Sequence, residues 1–156
     1  MEVWQKKYLV SPYLLSLNEA QVIQLDQEGA DGQGWEFYSN GHIMKAAVFR
    51  NQISGKVADG SHFHFVRIRA EEQEIMASCT CNQEGYLCKH IVALLYSWIY
   101  DREEFLNVET SLQKLQELPK KELIAIIGRM IQYDPQNIDY FDNSFNDAFD
   151  DAINGF

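Results

Sequence analysis

The chain has 156 residues, with 13 Lys plus Arg against 23 Asp plus Glu and a formal charge of -10. Its 46% hydrophobic content, including 13% aromatics, is enough to fill the core of one domain, which excludes wholesale disorder. The acidic balance excludes coating of nucleic acid by overall charge, since that mode needs many cations to displace phosphate counterions; a local basic surface stays open.

The opening Met1-Glu2-Val3-Trp4-Gln5-Lys6-Lys7 has no apolar core behind its charges, and no stretch approaches about 18 apolar residues. The expected protein is soluble and cytoplasmic, with no membrane partner. Residues 1–33 read as an N-terminal segment packing on the core. Within it, Leu17 to Leu25 predicts a short helix capped by Asn18. Gly29-Ala30-Asp31-Gly32-Gln33-Gly34 places three glycines in six residues, so it reads as a loop and as the clearest internal boundary.

From Trp35 to Ala77, apolar and polar residues alternate, rich in Val, Ile and Phe and punctuated by Asn40-Gly41, Arg50-Asn51 and Asp59-Gly60. This predicts an antiparallel meander of three or four strands. Period-2 geometry puts His64, Val66 and Ile68 on one face, expected to be the core, and Phe63, Phe65, Arg67 and Arg69 on the other. His90 to Ile99 is apolar nearly all round and predicts a buried helix. Leu112 to Leu118 predicts an amphipathic helix. A second starts at Pro119, carries a stripe of Leu123, Ile124, Ile127, Met130 and Ile131, and stops at Asp134-Pro135. The expected fold is α+β: residues 34–100 hold the meander and the cysteine cluster, 101–133 the C-terminal helices, and 134–156 an acidic, aromatic tail. That tail has six Asp and no Lys or Arg, so -6 of the -10 lies there. It reads either as a solvated chain end or as an interaction segment for a basic partner.

Cys79, Cys81 and Cys88 fall within ten residues and are followed by His90, giving Cys-x-Cys, six residues, then Cys-x-His. An odd cysteine count at low density is a poor disulfide framework. Three thiols and one imidazole match the donor set of a structural zinc site. Cys79 and Cys81 can face one ion where a strand runs into a turn, Glu84-Gly85 can fold the chain back, and Cys88 and His90 stand where the apolar helix begins. Lys89 and the helix N-terminus would offset the thiolate charge. Two other readings weigh against this: reduced thiols packed as small hydrophobes, or a Cys88–His90 nucleophile and base. Four protein ligands leave no open position for water, so one structural Zn²⁺ is expected and no enzyme. His42, His62 and His64 have no obvious further ligands and read as packed or surface histidines. Tyr96, Trp98 and Tyr100 read as core and boundary residues.

The cluster resembles the SWIM-type zinc finger. Ser-Cys-Thr-Cys and Cys-Lys-His-Ile-Val-Ala-Leu-Leu are similar to family phrases, as are Gly34-x-x-x-Tyr38-x-x-Gly41 and Ile53-x-Gly55-x-Val57-x-x-Gly60-Ser61 upstream, a likeness covering about residues 34–99. His64, between Phe63 and Phe65, departs from the aromatic the family often has after Gly-Ser. The resemblance implies a strand-strand-helix zinc module, with Cys79, Cys81, Cys88 and His90 as ligands, that binds DNA or protein. Such modules occur in Swi/Snf-type helicases, Mutator-type transposases and recombination mediators.

Residues 45–69 carry Lys45, Arg50, Lys56, Arg67 and Arg69 against only Asp59, a local net of +4. With Lys89, the side chains Lys45, Lys56, Phe65, Arg67 and Arg69 are the expected contact residues, aromatics beside cations being suited to single strands or protein tails. The same pattern also fits an ordinary solvated sheet face. The expected function is a zinc-binding interaction module contacting nucleic acid or a protein that processes it. The alternative is a purely protein-binding accessory subunit, for example of a helicase.

Overall fold

The computed structural model describes residues 10–81 and 87–141. These residues fall into two compact units divided between Ser111 and Leu112.

The first unit opens with helix α1 (Pro12–Ser16), where Pro12 sits at the helix start and the Ser11 hydroxyl accepts from the Leu14 amide. Helix α2 (Glu19–Gly29) is capped as expected by Asn18, in a reciprocal box with Gln21: each side chain accepts from the other's amide at 2.9 Å. The helix runs four residues beyond the predicted Leu25. Trp35 does not open a strand, since Gln33–Ser39 forms helix α3. The cap of α3 comes from outside its own sequence. The Asp26 carboxylate, buried on α2, accepts from the Gly34 amide at 2.9 Å and the Trp35 amide at 3.0 Å, supplying partners to the open first turn.

Four antiparallel strands follow: β1 (Ile43–Phe49), β2 (Gln52–Asp59), β3 (His62–Glu71) and β4 (Glu74–Cys79). Arg50 and Gly60, both at positive φ, make two of the turns between them. The expected meander is there, and a two-residue strand β5 (Leu106–Asn107) joins it parallel to β1, giving a mixed sheet of order β4-β3-β2-β1-β5. Helix α4 (Lys89–Tyr100) lies against one face, with every residue from His90 to Trp98 buried. It meets Val48, Ile53, Val57, Val66, Ile68 and Ala70 from the sheet, together with Leu14, Leu17 and Val22 from α1 and α2. Burying each large side chain of this set removes about 1.5–3 kcal/mol of apolar exposure from water. The Trp98 indole N–H reaches the Leu14 carbonyl at 2.8 Å, so the largest core side chain has its polar atom satisfied.

Two glycines permit this packing. A Cβ on Gly55 of β2 would stand 2.7 Å from Leu94 Cδ1, and one on Gly34 would stand 2.5 Å from Val92 Cγ1 and 2.8 Å from Asp26 Oδ1. Both positions lie where α4 approaches closest, so a side chain at either would push the helix away.

Helix α5 (Val108–Gln116) begins four residues before the predicted Leu112 and spans the division between the units. In the second unit, Pro119 caps helix α6 (Lys120–Tyr133) as expected, and a 3₁₀ segment (Pro135–Phe141) follows. Its start is held by the Asp134 carboxylate accepting from the Gln136 amide, while the Asn137 side chain donates to the Met130 carbonyl at 2.8 Å. The predicted Glu84-Gly85 turn and the tail beyond Phe141 lie outside the described residues. Among the described residues, no helix is long and apolar enough to cross a membrane.

Candidate metal centre

β4 delivers Cys79 at its end, and the turn after it delivers Cys81. Cys88 is the N-cap of α4 and His90 lies in its first turn, so the core packing of α4 fixes the second pair of donors. The donor atoms of Cys79, Cys81, Cys88 and His90 all lie within 4.8 Å of one another. His90 Nδ1 is 3.6 Å from Cys79 Sγ and 3.8 Å from Cys88 Sγ. A tetrahedron with Zn–S near 2.3 Å and Zn–N near 2.0 Å has S···N edges of about 3.5 Å, so the spacing fits one zinc ion. The four candidate ligands read from the sequence are thus brought to one point.

Protonation in the metal-free cluster is uneven. The Cys88 thiol is held low chiefly by the hydrogen bond from Cys79, aided by His90 and by the Ile91 amide at the helix start, against the opposing effect of burial. Cys79, donor of that bond and partly buried, is pushed up. At His90, burial works to lower the pKa, but hydrogen bonds to Cys88, Asp59 and Cys81 prevail and raise it to about 9. An ion held by these donors needs thiolates and a neutral imidazole, so its binding is coupled to proton release.

Asp59 is the residue that spacing in the sequence does not reveal. It ends β2 on the α4 side of the sheet, and its Oδ2 lies 2.9 Å from His90 Nε2 and 3.4 Å from Lys89 Nζ. The hydrogen bond from His90 holds the Asp59 carboxyl below its usual range. His64 packs tilted against His90 with ring centroids 4.4 Å apart, and Asp59, His64 and His90 form a second close group of donors. His42 is packed: its Nδ1 lies 2.8 Å from the Ala58 carbonyl and its ring 4.7 Å from that of Phe37, while His62 is exposed. Tyr96 and Trp98 are buried, whereas Tyr100, expected at the core boundary, is exposed at the end of α4.

The other face of the sheet carries the expected contact residues, with one exception. Strand register sets Lys45 beside Lys56 and Lys56 beside Phe65 in one row, and Ala47, Ser54, Arg67 and Ser78 in the next. A third row runs Phe49, Gln52, Arg69 and Met76. Phe63 and Phe65 are 49% and 58% exposed, and Lys56 Nζ stands 4.2 Å from the Phe63 ring centroid. Lys89 is the exception: it belongs to α4, where it pairs with Asp59 and lies 4.7 Å over the Phe37 ring.

Residues 64–99 match the family model of the SWIM zinc finger. The chain carries a SWIM-type zinc finger across that span, and its Cys3His group can hold one zinc ion. No curated protein and no solved structure matches the chain.

Proposed function

We propose that this chain is a zinc-held interaction module that binds single-stranded nucleic acid on the open face of its sheet, without catalytic chemistry of its own. The observation that carries this reading is the sorting of charge between the two faces. The segment 45–69 has a single acid, Asp59, and the alternation of β2 turns it toward His90. Lys45, Lys56, Arg67 and Arg69 are left on the open face with Phe63 and Phe65, and among the described residues none of these four cations forms an ion pair. Flat aromatic surfaces beside unpaired cations suit bases and phosphates together, and the Glu71–Glu74 pair closes the far end of the face. Four protein donors leave zinc no open position for water, which supports a structural role for the ion.

Fluorescence anisotropy with a labelled oligothymidylate, the same-length RNA and a duplex tests this. Single strands should bind best, with log affinity falling against log salt at a slope of about -3 for four phosphate contacts. Arg67→Glu with Arg69→Glu should abolish binding while leaving zinc content unchanged. No binding of any of the three at low salt would overturn the reading.

A second reading, a protein-binding subunit, rests on the second unit. Ile124, Met130, Ile138, Tyr140 and Phe141 are each more than half exposed there, and none of its described residues is buried. A chain ending at Tyr133 discriminates: loss of a co-purifying protein supports the adaptor, whereas stronger nucleic-acid binding supports competition from the acidic end.

A further inference from the structure

We infer that Asp59 is the positioning residue of the metal centre, holding the His90 ring so that Nδ1, and not Nε2, faces the three sulfurs. This rests on the Cys3His reading and goes beyond it, because Asp59 lies outside both the four-donor pattern and the matched segment 64–99.

The geometry divides the His90 ring between two neighbours. Nδ1 faces Cys79 at 3.6 Å and Cys88 at 3.8 Å, while Nε2 faces Asp59 Oδ2 at 2.9 Å. An imidazole that gives one nitrogen to a metal must carry its proton on the other, and a carboxylate is the strongest acceptor for that proton. Ring packing narrows the choice further. Phe37 meets the His90 ring edge-on at 5.4 Å and His64 lies tilted by 31° against it at 4.4 Å, so rotation of the buried imidazole is opposed from two directions. Asp59 is held in turn by strand pairing opposite His62 and by the Lys89 ammonium at 3.4 Å. The tip of the β2–β3 hairpin thus reaches the metal centre through one hydrogen bond, tying the ligand on α4 to the sheet that carries the basic face.

Asp59, His64 and His90 could instead be ligands of a second ion. That arrangement would strip the Nε2 proton and make His90 bridge two metals, while offering only three protein donors. The single-ion arrangement leaves His90 neutral and both of its nitrogens satisfied.

The test uses the full chain as wild type, Asp59→Ala, Asp59→Asn and Lys89→Ala. Zinc is titrated against a chromophoric chelator, and the His90 Nε2–H proton is followed by NMR in the zinc-loaded protein. Asp59→Ala should bind zinc about 10- to 100-fold more weakly and lose its downfield, exchange-protected Nε2–H signal. Asp59→Asn, which keeps an acceptor without the charge, should fall between the two and move that signal upfield. Lys89→Ala, which removes one of the two supports of Asp59 but leaves its carboxylate, should keep the stoichiometry and weaken zinc binding less than Asp59→Ala. If Asp59→Ala does not fold, an Asp59→Asn chain with wild-type affinity and an unshifted proton overturns the inference. Wild-type affinity in Asp59→Ala with the proton still protected overturns it directly. Two zinc equivalents in the wild type that fall to one in Asp59→Ala also overturn it, by making Asp59 a ligand. A wild-type chain that binds no zinc overturns the Cys3His reading itself, which separates the two failures.

Discussion

Asp26 shows how much one buried side chain can organise. Its carboxylate accepts from the Gly34 and Trp35 amides and, at 3.0 Å, from the Tyr96 hydroxyl, joining α2, α3 and α4 at one point. Truncation to Ala leaves two buried donors and a part-buried one without partners, each buried donor costing about 1–3 kcal/mol. Asp26→Ala should therefore lower the unfolding free energy in urea by about 3 kcal/mol or more, and Asp26→Asn by less. The phenols bonded to these carboxylates carry a pH signature. Burial, followed by the hydrogen bond to Asp26, raises the Tyr96 pKa, and burial with the 2.6 Å bond to Asp101 raises that of Tyr38. A pKa raised in the folded state contributes stability that is complete below the unfolded value near 10 and is lost as pH rises through the folded value. Ultraviolet titration at alkaline pH should show these two tyrosines ionising only together with unfolding. Two ordinary titrations near pH 10 in the folded protein would contradict this.

At the scale of elements, sequence and structure agree where the signal is local and part where it is not. The box of Asn18 with Gln21, the alternation from His62 to Glu71 and the unbroken apolar run behind His90 each contain their own instructions, so α2, β3 and α4 were legible. Helix α3 was not, because its first turn is satisfied by Asp26 from the preceding helix while glycines flanking it read as loop. β5 was equally hidden: two residues pair with β1 only because Phe105 is anchored in the core against Trp98 at 5.1 Å. Three sulfurs and a nitrogen could be assembled from spacing alone, since all four lie between residues 79 and 90 of the sequence. Asp59 could not, because its link to His90 spans 31 residues and depends on strand register. The element most sensitive to packing is α4. Gly55→Ala should cost about 1–3 kcal/mol by overpacking against Leu94, and Gly34→Ala at least as much, because the atoms it would meet on Val92 and Asp26 are both confined. Equilibrium unfolding of the two variants checks this; wild-type stability in Gly34→Ala would show that α4 can move aside.

Over the whole molecule, a net charge of -10 is unevenly divided along the sequence, with -6 in residues 134–156, while the sheet presents a cationic face. The same chain of strands that presents this face also ends in Cys79, and α4, which covers the opposite side, begins at Cys88. A bound ion would thus pin the last long strand to the core helix, so removing it should loosen the scaffold beneath the basic face. Chelation, or Cys88→Ser, should lower the melting temperature and weaken single-strand binding in parallel. The centre itself is tested most directly by zinc-edge X-ray absorption on the purified full chain, combined with metal content. One zinc per chain with a shell of three sulfurs near 2.3 Å and one nitrogen near 2.0 Å is the expected result. A protein without zinc, or a shell of oxygen and nitrogen alone, would contradict the assignment of Cys79, Cys81, Cys88 and His90.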